Sequence, residues 1–114
     1  MPDDLPAFPD DLLQLQRDYE AAHAAVTAYV TRLESEYAER YPDPGGKWDE
    51  DAAALRNAWT PQEKAEHQRL RDAREDARKA LWAHPGHTEA LAAGQWDELK
   101  YAAGAPGWPE PKKK

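Results

Sequence analysis

The four histidines are the side chains of this sequence best suited to bind a metal or to act as a base near neutral pH. His84 and His87 lie close together in the segment His-Pro-Gly-His, whereas His23 and His67 stand alone. A zinc site needs three or four ligands at defined spacing, and the sequence has no second histidine pair, no HExxH-type run and no cysteine. We therefore predict no metal and no cofactor. We expect His84 to offset the negative end of a helix and His87 to lie in a solvated loop.

Acidic residues form two groups that suggest acid–base chemistry: Glu34, Glu36 and Glu39, and the run from Asp49 to Asp51. General acid catalysis requires a carboxyl group in a dry cleft that raises its pKa, whereas these residues lie at predicted helix ends beside other acids. Gly45-Gly46 lacks the Gly-Lys-Ser/Thr of a phosphate loop, and the single serine, Ser35, lies between two glutamates. We expect that the protein is not an enzyme.

The charge balance limits the partners that the chain can have. Its net charge is −7, from 22 acidic and 15 basic residues, whereas a surface that binds nucleic acid needs a basic excess. The N-terminus carries Asp3, Asp4 and Asp10 where a signal peptide would be basic and then apolar. No stretch approaches the roughly eighteen apolar residues of a membrane span. We predict a cytoplasmic protein with neither nucleic acid nor membrane as a partner.

One basic pattern occurs at helical spacing on this acidic chain: Arg71, Arg74 and Arg78, preceded by Lys64 and His67. In the favoured interpretation the arginines form ion pairs within the chain, because Asp18 and Glu20 are predicted to face Arg71 across a helical hairpin and Asp72, Glu75 and Asp76 share the helix of the arginines. Two further interpretations are a docking surface for an acidic protein segment and a helix for the DNA major groove. The surrounding acids oppose the last of these. We therefore predict that any partner bound by the arginines is a protein.

The sequence has five tryptophans and five tyrosines, more than two helices of this length can bury. Trp96, Tyr101 and Trp108 lie in or after the last predicted helix. In the favoured interpretation they hold that helix and the tail against the rest of the protein. The alternative is an exposed aromatic patch that anchors a partner. Together with the three arginines, these aromatic residues are the predicted protein-binding site.

The composition predicts that helices position all of these residues. Alanine supplies 22 of the 114 residues, isoleucine is absent, and valine occurs only at positions 26 and 30. The same skew is typical of a GC-rich coding sequence, from a bacterium or a phage. The length fits one domain. We predict an all-α domain over residues 1–103 and a flexible tail, rich in Pro, Gly and Lys, over residues 104–114.

Apolar residues recur every three or four positions from Leu12 to Tyr37, which predicts a first helix from Asp10 or Asp11 to about Tyr41. The prolines and glycines of residues 42–46 end it. The return arm is predicted as a short helix over 49–59 and a longer one over 61–84, because Thr60 can cap the second. A single kinked helix is the alternative. A weaker helix is predicted over 88–103.

These helices predict an antiparallel hairpin that turns near Gly45 and brings Leu12 beside Ala77 and Tyr19 beside Leu70. Two helices alone do not enclose a core. Either the weaker helix covers the open seam, giving a three-helix-bundle-like fold, or two copies of the chain associate. Sequence leaves both arrangements open.

Three functions follow from this architecture. The first, which we favour, is a non-catalytic accessory or regulatory module that binds another protein. The second is an acidic DNA mimic or inhibitor, although Arg17, Arg32 and Arg56 interrupt the row of carboxylates that mimicry requires. The third is a structural homodimer of helical hairpins.

Overall fold

The computed structural model describes residues 7–105, which contain five α-helices and no strand. The helices are α1 (Asp10–Arg40), α2 (Glu50–Arg56), α3 (Pro61–Trp82), α4 (Pro85–Ala92) and α5 (Trp96–Ala102). The predicted all-α class is confirmed, and so is the long antiparallel pair, which α1 and α3 form. The predicted tail lies outside the described residues, except for Gly104 and Ala105.

Helix α1 ends close to where its sequence predicts. Asp10 and Asp11 occupy the first turn, where carboxylates oppose the positive end of the helix dipole. The last turn closes through the Tyr41 amide, which donates to the Tyr37 carbonyl at 2.9 Å. Beyond it a single turn of 3-10 helix, Pro44–Gly46, reverses the chain. Both glycines of that turn have positive φ, of 63° and 75°, which side-chain-bearing residues rarely adopt.

The return arm consists of two helices, and the alternative of one kinked helix is wrong. Asp49 caps α2 by accepting a hydrogen bond from the Ala52 amide at 2.9 Å. Thr60 caps α3 by accepting from the Glu63 amide, and the Glu63 carboxylate accepts from the Thr60 amide in return. This reciprocal capping box fixes the start of α3 at Pro61, where the missing N–H of proline costs nothing.

The predicted helix over 88–103 is in fact two short helices joined by a turn. Pro85 does not only end α3: it is also the first residue of α4. His84 is the cap of α4, because its Nδ1 accepts a hydrogen bond from the Gly86 amide at 2.9 Å. It does not offset the negative C-terminal end of α3, which is the role that the sequence predicts for it. Gly94, with φ of 68°, then turns the chain before α5.

The register of the hairpin differs from the predicted one by about one helical turn. Leu12 lies in one cluster with Leu81 and not beside Ala77. Further along the pair, Arg74 Nη1 lies 3.4 Å from His23 Nδ1. The prediction assumed a tight reversal at Gly45, but α2 and the non-helical residues 57–60 intervene before α3 begins.

Two regions of the hairpin differ in thickness. We call the end where α4 and α5 pack on the long helices the base (residues 8–20 and 77–103). Its core consists of Leu12, Leu81, Ala90 and Leu99, all at most 3% exposed. We call residues 21–36 of α1 with residues 61–76 of α3 the middle section. The tip beyond it carries α2, which Arg56 attaches by donating to the Tyr41 carbonyl at 2.7 Å.

Candidate protein-binding surface

The middle section is two helices thick, and its apolar residues are correspondingly less enclosed than those of the base. Val26 and Leu33 are buried where α1 and α3 meet, but Val30 and Leu70 remain half-buried. The last hydrogen bond between α5 and α1, counted towards the tip, is made at Glu20, whose carboxylate accepts from Lys100 Nζ at 2.8 Å. The described helices therefore leave the seam between α1 and α3 without a third layer past Glu20.

The predicted arginines lie along one side of α3 but differ in their contacts. Arg71 is exposed and has no hydrogen bond or ion pair within residues 7–105. Arg74 is half-buried and faces His23 across the seam. Arg78 makes two hydrogen bonds to the Glu75 carboxylate and so holds the pKa of Glu75 below its usual value. The guanidinium groups of Arg71 and Arg74 thus retain unused donors.

The acidic residues predicted to face Arg71 do not do so. Asp18 accepts a hydrogen bond from Gln14, four residues earlier on the same helix. Glu20 accepts from Gln16 on its own helix and from Lys100 on α5. These predicted pairs across the hairpin are absent because α5 occupies the side of α1 that carries Glu20. A predicted pair within α3 does form, between Arg78 and Glu75.

The arginine on the other side of α3 is paired with a glutamate. Arg69 pairs with Glu66 one turn earlier, and its hydrogen bonds lower the pKa of the Glu66 carboxyl. Residues two positions apart on a helix point about 200° away from each other, so Arg69 and Arg71 lie on opposite sides. One side of α3 therefore carries arginines with unused hydrogen-bond donors, and the opposite side carries a paired arginine and glutamate.

The predicted aromatic residues are not brought together with the arginines of the middle section. Trp96 begins α5 at the base, where its ring centroid lies 4.5 Å from Lys100 Nζ and the residue is 42% exposed. Tyr101 is half-buried on the same helix, and Trp108 lies outside the described residues. Sequence reasoning missed Trp82, which is 54% exposed. It follows Arg78 by four residues, and this spacing could have placed it on the arginine side.

Two further large apolar side chains are exposed at the tip. Trp48 is 72% exposed and Leu55 is 48% exposed, while Trp59 packs edge-on against the His67 ring. Trp48 precedes α2, which begins at Glu50, and Leu55 lies within that helix. Neither residue was predicted to be exposed, because helical spacing alone does not tell a buried face from an open one.

The histidines at the base hold α4 against α1. His84 Nε2 lies 3.1 Å from an Asp11 carboxylate oxygen, and this hydrogen bond lowers the pKa of Asp11. His87 is 2% exposed, lies against the Trp82 ring, and leaves its Nδ1 without a partner. Burial, with a smaller contribution from His84, lowers the pKa of His87. The prediction of a solvated His87 is therefore wrong, because residues 85–92 form a helix and not a loop.

Some polar residues elsewhere in the described part of the chain have structural partners, whereas the buried Oε1 of Gln16 and Oε2 of Glu98 have none. Glu63 accepts a hydrogen bond from the Tyr37 hydroxyl as well as capping α3, which raises the pKa of Tyr37 and lowers that of Glu63. Among residues 7–105 no three histidine, aspartate or glutamate side chains are grouped as metal ligands would be. A hollow between Phe8 and Ala90 at the base is lined mainly by small apolar residues. The arginine side of the middle section differs in that Arg71 has no hydrogen bond or ion pair among the described residues.

No protein-family model matches this chain, and no curated protein or solved structure shows significant similarity to it. Within the described residues, no helix is both long enough and apolar enough to cross a membrane. Function is therefore inferred from the surface of the chain itself.

Proposed function

We propose that this chain is a non-catalytic, cytoplasmic module that binds another protein through the arginine side of its middle section. The observation that carries the proposal is the absence of a third layer between Glu20 and the tip in the described structure. At the base, α4 and α5 bring Leu12 and Leu99 to complete burial. In the middle section Val30 and Leu70 stay half-buried, so a partner that covers them gains the same kind of apolar contact.

The dimensions of the protein support this proposal. Its radius of gyration is 19.3 Å, against about 13 Å for a compact domain of this length. Its accessible surface is 7955 Å², against roughly 6,300 Å² for a compact protein of this mass. The excess is about twice the roughly 800 Å² that one partner contributes to a standard protein interface. A chain that leaves this much surface exposed has room for a partner without any change in its own fold.

The residue types at the surface support a protein as the partner. Arginine and tryptophan are enriched among the residues that contribute most to protein interfaces. Arg71 and Arg74 flank the half-buried Leu70, and Trp82 extends the same side of α3 towards the base. The surface therefore combines apolar contact with charged groups that can select among partners.

Site-specific crosslinking in cells of the source organism tests the proposal. Thr27 is exposed, and it lies one turn from His23, which faces Arg74 across the seam. Replacing Thr27 with the photoreactive residue p-benzoylphenylalanine leaves every arginine in place. After irradiation we expect one discrete adduct between this chain and a second protein, identified by mass spectrometry.

Ala25 provides the matched control. It is also exposed, but it points about 200° away from Thr27 on the same helix, so the photoreactive residue placed there should give no such adduct. Equal adducts from both positions, or none from position 27, would contradict the proposal. An adduct at position 27 with twice the 12.9 kDa mass of the chain would replace it with the homodimer.

A further inference from the structure

The uncovered seam has the length of a short helix. On α1 it runs from Glu20, where the hydrogen bonds to α5 end, to about Val30, because nearer the tip Trp59 packs against His67 of α3 and Leu33 and Tyr37 are buried. Ten residues of helix rise by about 15 Å, or between two and three turns. A helix laid in this seam would continue the layer that α5 begins at the base.

The chemistry of the seam favours a helical occupant over an extended one. The backbone amides of α1 and α3 are bonded within their own helices, so they offer no ladder to an extended strand. A helix satisfies its own backbone and needs only an apolar stripe to pack against Val30 and Leu70. Third-layer packing of this kind already occurs in the same molecule, where α5 lies on α1.

The charge of the seam indicates which residues should lie on either side of the apolar stripe of that helix. Arg71 has no hydrogen bond or ion pair among the described residues. The single hydrogen bond of Arg74 is to a His23 nitrogen at 3.4 Å, although its charge also contributes to the lowered pKa of Glu75. Lys64 is exposed two helical turns before Arg71, on the same side of α3. Carboxylates on an incoming helix would form charge-assisted hydrogen bonds with these cations. At the base Glu20 already pairs with Lys100 in this way, with α5 supplying the cation.

We infer that the partner presents an acidic amphipathic helix, which packs in the seam over two to three turns as the missing third helix. Its apolar stripe covers Val30 and Leu70, and its glutamates or aspartates meet Arg71 and Arg74. This inference rests on the proposed function and specifies the chemistry of the partner. A second copy of this chain is the alternative occupant.

A pair of synthetic peptides tests the inference on the full chain. Both have eighteen residues and a leucine stripe at helical spacing; one carries glutamates on the flanks of the stripe, and the other carries lysines at the same positions. We expect the glutamate peptide to bind and the lysine peptide not to bind, as measured by fluorescence anisotropy. In the variant Arg71→Glu/Arg74→Glu we expect at least tenfold weaker binding of the glutamate peptide and new binding of the lysine peptide.

Arg69→Glu is the matched control, because it reverses an arginine of the same helix on the opposite, paired side. It should leave the affinity for the glutamate peptide unchanged. Arg71→Gln/Arg74→Gln should fall between wild type and the reversed variant, and circular dichroism checks that each variant is folded. Failure of the glutamate peptide to bind wild type, or equal binding to wild type and the Arg71→Glu/Arg74→Glu variant, would overturn the inference.

The two proposals fail separately. If crosslinking at position 27 finds a protein partner but the glutamate peptide does not bind, the chain is an interaction module and the acidic helix is wrong. If light scattering shows a dimer whose association Arg71→Glu/Arg74→Glu abolishes, the occupant is a second copy and the inference fails.

Discussion

The base and the middle section of the hairpin are built from the same two helices, yet within the described residues the base has a third layer and the middle section does not. At the base, α4 and α5 add a third layer, and Leu12 and Leu99 are completely buried. In the middle section the corresponding apolar residues, Val30 and Leu70, lie at the open edge of a helix pair. One pair of helices thus encloses apolar side chains in a core at one end and leaves apolar side chains partly exposed further along.

Polar residues differ between the two regions in the same way. At the base, Lys100 and Glu20 form an ion pair whose side chains are only 11% and 14% exposed, and Gln16 bonds to the same carboxylate. In the middle section Arg71 is exposed and has no partner among the described residues. Polar groups at the base thus fix the packing of α5, whereas Arg71 of the middle section makes no hydrogen bond or ion pair to another described residue.

The largest expected effect compares one substitution in both regions. Leu99→Ala removes a completely buried side chain from the base and should lower the free energy of unfolding by about 2–5 kcal/mol. Leu70→Ala removes a half-buried one and should cost roughly 1 kcal/mol, because part of its surface is already in water. Urea denaturation of the two variants measures both values. Equal costs would show that the middle section is as enclosed as the base.

A second, smaller contrast concerns ion pairs. Lys100→Met leaves the Glu20 carboxylate largely buried without its cation and should cost about 1–3 kcal/mol, whereas the double variant Glu20→Leu/Lys100→Met should recover most of the loss. Arg69→Ala breaks the exposed pair with Glu66 and should leave the melting temperature unchanged within error. Thermal denaturation followed by circular dichroism compares them. If Lys100→Met is as harmless as Arg69→Ala, the pair does not hold α5.

The elements that form the base and the middle section were predictable wherever local chemistry fixes a helix end. Two prolines and two glycines end α1, and the Thr60 capping box starts α3, so both boundaries follow from a few neighbouring residues. Pro85 was interpreted only as a helix stop, although proline also suits the first position of a new helix. The division of the last segment into α4 and α5 was missed for this reason.

The candidate site was predictable in its residues and not in their contacts. The spacing of Arg71, Arg74 and Arg78 placed them on one side of a helix, and the structure has them there. Which of them is neutralised depends on the hairpin register and on where α5 lies, and both are set by packing between residues distant in sequence. The burial of His87 depends in the same way on the folding of residues 85–92 against Trp82.

The smallest expected effect is a pH dependence confined to the base. The pKa of His87 is lowered by burial and then by His84, so between pH 7 and pH 5 the unfolded chain takes up a proton, at a pKa of about 6.5, that the folded chain resists. Because the unfolded state binds more protons, the free energy of unfolding falls as pH decreases from about 6.5 towards the lower folded-state pKa. The carboxyls of Asp11 and Glu63, whose pKa values are also lowered, contribute mainly below about pH 5.

His87→Gln isolates this contribution, because glutamine does not titrate. Melting temperatures measured from pH 7 to pH 5 should decline in wild type and decline less in His87→Gln. His23→Gln changes an exposed histidine of the middle section and should keep the wild-type decline. The opposite pattern, with the decline lost in His23→Gln and kept in His87→Gln, would place the pH sensitivity in the middle section. In that case the uncovered seam, and not the enclosed base, would be the part of the fold that resists protonation.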